Sequence, residues 1–189
     1  MLDFIESEGQ PRALPIKALT LRTVFLMAIT RPSRSADLSQ LNIQRMSYTA
    51  SGVSFMPTVL AKQSRQGKPI TEFFFPSFPE NTTLCPVSSL KVYLDLTKQL
   101  RGEEPRLFIS FIKPHKAVTS SSIARWLKTI LEEAGIDTSM FGAHSTRGAS
   151  AAAKAGVNWS SESVFQRFYH KTSNKAAYGR AVINQNSSE

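Results

Sequence analysis

Apolar positions fall along this chain in blocks whose spacing separates helix from strand. From Ile16 to Thr30, the residues Leu19, Leu21, Val24, Phe25, Met27 and Ala28 predict a mostly buried helix. Residues 1–15 predict a short helix and then a loop at Gln10–Pro11. Pro32 ends or kinks the buried helix, because it lacks an N–H and disfavours helical backbone before it. Ser33 is placed to cap a new helix carrying Arg34, Asp37, Leu38 and Leu41. From Gln44 the pattern shifts to short β-rich runs. GVSFMPTVL and PITEFFFPSF flank AKQSRQGK, which predicts a hairpin with turn chemistry at Gly67 and an edge or bulge at Pro57. Val87–Leu100 predicts a helix with Pro86 near its first position and Leu90, Tyr93, Leu94 and Leu96 on its buried side. RLFISFIK predicts another strand, followed by a loop holding Pro114 and His115. Thr119–Ala134 is the helix with the clearest boundaries. Ser or Thr caps it, Ile123, Leu127, Ile130 and Leu131 form its stripe, and Gly135 stops it; Trp126 is assigned to the core or a partner. The fold class is therefore α+β, mainly helical, with a small antiparallel sheet.

The last third reads differently. His144 and Arg147 stand three apart and share a face on a helix that runs through Ala149–Ala155 and stops at Gly156. A second short helix, capped by Ser160 or Ser161, ends at Tyr169. A polar tail follows, with Tyr178 and Val182–Ile183 as anchors. An imidazole, a guanidinium, the indole of Trp159 and a phenol in one span suit the handling of a phosphate ester, although a lone His-x-x-Arg pair is more often plain surface.

Charge narrows the partner. The 189 residues carry a formal +9, with an isoelectric point near 9.9, which favours a polyanion and above all nucleic acid. No basic amphipathic helix or lipidation signal points to a membrane, and no apolar run reaches spanning length. The start MLDFIESEGQPR is acidic and polar, unlike a signal peptide. Cys85 is the sole cysteine, so no intrachain disulfide or cysteine-rich zinc site can form, and an intracellular setting fits. His115, His144 and His170 lack metal-ligand spacing, and no phosphate-binding loop, dinucleotide fingerprint or nucleophile elbow occurs.

Taken in order, Arg34 in RSADL, Lys62 in LAKQSRQGK, His144 and Arg147 in HSTR, Trp159 and Tyr169 resemble the site of the tyrosine recombinases, or phage integrases. TRPSRSADL, HSTRGAS and WSSESVFQRFY are most similar to the recombinases of tyrosine-recombinase retrotransposons and genes derived from them. The resemblance spans about Leu14 to Tyr169. It implies a DNA breaking-rejoining catalytic domain over residues 1–170 and a tail over 171–189, with the family's N-terminal core-binding domain absent from this chain. It implies cleavage and rejoining of DNA through a 3′-phosphotyrosyl link, with no cofactor, metal or small-molecule substrate. Arg34, Lys62, His144, Arg147, Trp159 and Tyr169 would be catalytic. Arg65 and Lys68 would contact DNA, and several copies of the chain would assemble there, in the nucleus. Lys68 competes with Lys62 for the hairpin position, because register decides between them. The spacing departs from the family in two places, of which the lesser is Trp159 to Tyr169, 169 − 159 = 10 positions and one longer than in many integrases. Arg147 and Trp159 are 159 − 147 = 12 positions apart, where the family carries a further short helix. Gly156, Val157 and Asn158 span at most ~10 Å, so Tyr169 is expected to be displaced from Arg34 and Arg147. The alternative reading is a catalytically inactive DNA-binding relic.

Overall fold

A computed structural model describes residues 1–31, 33–57 and 72–138. Helix α1 (Leu2–Ser7) buries Leu2 and Ile5, and a 3-10 turn at Pro11–Ala13 leads into helix α2 (Ile16–Thr30), whose bounds match the apolar block. Every residue from Leu19 to Thr30 is buried, so this helix has no solvent face over most of its length. Its polar members satisfy themselves locally. The hydroxyls of Thr20, Thr23 and Thr30 donate to the carbonyls four residues back, at 2.6, 2.7 and 2.6 Å. Arg22 reaches out of the helix to the C-terminal end of α1, donating to the carbonyls of Ile5 and Gly9 and to the Glu8 carboxylate.

Helix α3 (Ser35–Ser39) follows directly. Strands β1 (Met46–Thr49), β2 (Gly52–Phe55) and β3 (Phe73–Pro76) form an antiparallel sheet in the order β1-β2-β3. The predicted hairpin is thus present at its base, with Phe55 opposite Phe73 and Gly52 opposite Pro76. Pro57 lies just beyond β2, and its carbonyl accepts from Arg45 at 3.2 Å. The turn chemistry assigned to Gly67 lies outside the described residues.

Helix α4 (Pro86–Thr97) starts with Pro86 in its first turn, as the sequence predicts, and its cap is the sulfur of Cys85, which accepts from Ser88 N–H at 3.4 Å. Leu90 and Tyr93 are buried and Leu94 partly so. Leu96 is not on the buried side; it is 47% exposed, and Thr97 takes the inward position instead. Helix α5 (Ser120–Glu133) is capped by the Thr119 hydroxyl and ends before Gly135, which has a φ of 75°. Trp126 is buried and stacks on Phe111 with ring centres 5.3 Å apart. The central helix α2 packs against α4, α5 and β3, and α3 packs against α5.

RLFISFIK does not form a strand. Two isolated antiparallel bridges, Asn42 with Arg106 and Ile109 with Ala117, replace it. The physical reason is the turn that begins at Ser110, whose hydroxyl and backbone bond back to the next few residues. The arm before it is held from both sides. Arg101 donates to the carbonyls of Arg106 and Leu107 at 2.8 and 3.1 Å, and the Tyr93 hydroxyl accepts from Ile109 N–H at 3.0 Å. Burial raises the Tyr93 phenol above its ordinary range, which keeps it protonated at neutral pH. Helices and a three-stranded antiparallel sheet around one core make the described part an α+β structure. No helix among the described residues is long and apolar enough to cross a membrane.

Candidate nucleic-acid interface

Of the residues singled out in the sequence, Arg34 lies in the described part. It is exposed and sits at the N-cap of α3, with extended backbone (φ −79°, ψ 152°). The expected cap, Ser33, is one residue too early. Its hydroxyl donates to Arg31 O at 2.9 Å and accepts from Arg31 Nη1 at 3.1 Å, so it closes the turn before the helix. An arginine side chain has no acceptor to offer the helix start. The cap is completed from the other direction: Arg34 N–H donates to Asp37 Oδ2 at 3.0 Å. Asp37 therefore fixes the Arg34 backbone. The Arg34 guanidinium is left facing solvent.

Arg31 ties this turn to the sheet. Its guanidinium lies over the Phe73 ring, 4.3 Å from the centroid. Burial lowers its pKa from the ordinary arginine value, and the charge of Asp37 opposes that shift. A guanidinium stays protonated despite such a shift. Phe73 is the first residue of β3 and stands opposite Phe55, the last residue of β2. Met56 N–H donates to Arg45 O at 3.0 Å, and the Arg45 side chain holds Pro57. The strand ends that flank segment 58–71, in whose sequence stand Lys62, Arg65 and Lys68, thus lie side by side, and the turn bearing Arg34 is docked on one of them through Phe73. A double-mutant cycle of Arg31→Gln and Phe73→Leu, read by urea unfolding, is expected to give a coupling of about 1 kcal/mol. Strictly additive losses would show that the stacking contributes nothing.

Sequence reasoning missed Arg31 and Phe73. The one local signal was a cationic residue at a helix end immediately before proline; its partner forty-two positions on (73 − 31) had none. Lys62, Arg65, Lys68, His144, Arg147, Trp159 and Tyr169 lie outside the described residues, as does the departure between Arg147 and Trp159. In sequence, segment 58–71 has no acidic residue, and residues 139–189 hold Arg147, Lys154, Arg167, Lys171, Lys175 and Arg180 against Glu162 and Glu189. Among the described residues no group of three or more His, Cys, Asp or Glu is placed to hold a metal ion. Compared with models of known protein families and with curated protein sequences, the chain matches none.

Proposed function

We propose that the chain is the catalytic part of a DNA strand-exchange protein of the tyrosine-recombinase kind. The observation that carries this reading is the ordered set Arg34, Lys62, His144, Arg147, Trp159 and Tyr169. The exposed Arg34, held beside the base of the segment bearing Lys62, supports it. In this mechanism the Tyr169 oxygen, its phenol proton passing to His144, attacks a backbone phosphorus in line. A phosphorus–oxygen bond forms to tyrosine, the bond to the 5′ oxygen breaks, and a proton from Lys62 goes to that oxygen. Arg34 and Arg147 stabilise the charge on the non-bridging oxygens, a task suited to a planar, permanently charged fork. His144 and Trp159 supply further hydrogen bonds. Because bond energy is retained in the phosphotyrosine, a second strand's 5′-hydroxyl reverses the step. DNA is the partner, several copies of the chain assemble on it, and the nucleus is the compartment in which the reaction would run.

A second reading, a DNA-binding relic without cleavage, rests on the short Arg147–Trp159 spacing, which leaves little chain to return Tyr169 to the phosphate. One experiment separates the two. The protein is incubated with nicked duplexes that release a short oligonucleotide on cleavage, and covalent adducts are resolved on a denaturing gel. An adduct with the native chain that vanishes in Tyr169→Phe establishes the enzyme. Duplex binding without any adduct establishes the relic, and failure to bind duplex at low salt removes both.

A further inference from the structure

A second exposed surface, outside the recombinase set, carries cations and one apolar side chain on a fixed turn. The turn from Ser110 to Lys116 is fixed at every step. The Ser110 hydroxyl donates to Ile112 O at 2.7 Å and accepts from Ile112 N–H at 3.1 Å. Ser110 N–H donates to Lys116 O at 2.9 Å, and His115 N–H to Ile112 O at 3.1 Å. The His115 ring donates from Nδ1 to Ser110 O at 2.9 Å, and His115 is held at a φ of 52°, a left-handed conformation that is costly for a residue with a Cβ. Phe111 anchors the turn by stacking on Trp126 of α5. Such an over-determined tip presents a fixed shape.

What it presents is Ile112, 66% exposed, the most exposed large apolar side chain among the described residues, followed by exposed Lys113 and, at the end of the turn, exposed Lys116. From Pro105 to Leu131 the sequence has no acidic residue, while it holds Arg106, Lys113, Lys116, Arg125 and Lys128. Phe111 and Val118 are turned into the core, so Ile112 stands alone and cannot seed a protein interface, which needs about 800 Å² on each side. A single apolar side chain on the same turn as two cations instead fits a DNA groove, where phosphates line the rims and deoxyribose and base edges lie between. The arm of the turn is fastened to the end of α3 by Leu107 N–H to Leu41 O at 2.8 Å and by Arg106 to Ser39 O at 3.0 Å.

We infer that the Ser110–Lys116 turn is a second duplex-DNA contact, with Lys113 and Lys116 on backbone phosphates and Ile112 against the floor and wall of the minor groove. The inference rests on the DNA-binding reading above. It is tested by binding of a fluorescent duplex across a salt series, with Lys113→Gln/Lys116→Gln and Ile112→Ser beside the native chain. Loss of both lysines is expected to reduce the slope of log affinity against log salt by about 1.8, since each phosphate contact contributes about 0.9. Ile112→Ser is expected to weaken binding about fivefold at every salt concentration with the slope unchanged, because an apolar contact releases no counterion. All three side chains are exposed, so the urea midpoint should not move. Native binding that neither variant alters overturns the tip and leaves the DNA reading standing. No native binding at low salt overturns both. Loss confined to polyglutamate, with duplex binding intact, assigns the tip to an acidic protein and overturns it too.

Discussion

Arg22→Ala is expected to lower the unfolding free energy by about 3–5 kcal/mol, the largest single loss in the described part of the chain. Arg22 is fully buried, and its guanidinium is committed to four bonds: Nη2 to Ile5 O at 2.7 Å, Nη1 to Gly9 O at 2.6 Å, and Nη2 and Nε to Glu8 Oε2 at 3.1 and 3.4 Å. Burial lowers its pKa, and the hydrogen bond and charge of Glu8 oppose that shift, so the cation persists at neutral pH. The Ile5 carbonyl belongs to the last turn of α1 and that of Gly9 lies just past its C-cap, where the helix dipole also favours a cation. Alanine removes the donor from a buried carbonyl, leaves Glu8 without its partner and opens a cavity, three costs with one sign. Glu8→Gln should cost much less, about 1 kcal/mol, because an amide oxygen still accepts the bond and the side chain borders solvent. Urea unfolding of the two variants checks the order. A loss below about 1 kcal/mol for Arg22→Ala would mean that α1 adds little to the fold.

Gly52→Ala should be nearly as damaging, at about 2–4 kcal/mol, though it adds one methyl group. A Cβ at this position would clash with the Phe75 carbonyl oxygen and would lie 2.8 Å from Phe74 Cζ. The phenyl ring can turn aside. The carbonyl is backbone of the neighbouring strand, and it can yield only if β2 and β3 separate. Those strands carry both ends of segment 58–71, so loosening them also loosens the shelf on which Arg31 holds the Arg34 turn. The expected result is a lower urea midpoint together with weaker duplex binding. A midpoint within about 0.5 kcal/mol of the native chain would show that the sheet accommodates the methyl.

What could be read in advance depended on how local the deciding interaction was. Helix α2 was legible because its apolar block is long and a proline follows it closely in sequence; α5 was legible because Thr119 and Gly135 punctuate both ends. Pro86 announced α4 by a preference that belongs to the backbone alone. Ser33 misled because its hydroxyl has two possible uses, and the contact with Arg31 claims it. RLFISFIK misled because a run of β-prone residues does not reveal that Ser110 bonds to its own neighbours. Leu96 misled because α4 turns a threonine, not a leucine, inward at that level. In the candidate site Arg34 could be named from its motif. Arg31 and Phe73 acquire meaning only when β3 is laid beside the end of α2, which no stretch of sequence displays.

Helix α2 has a further consequence for recognition. A helix surrounded by core cannot slide or rotate without dragging α4, α5 and β3 with it. Arg34 is four residues beyond its last turn, fastened through Arg31 and Asp37. On the DNA reading proposed above, the Arg34 backbone would meet a phosphate as an anvil: it would keep its place, and the accommodation would come from the exposed guanidinium and from the bending of the ligand.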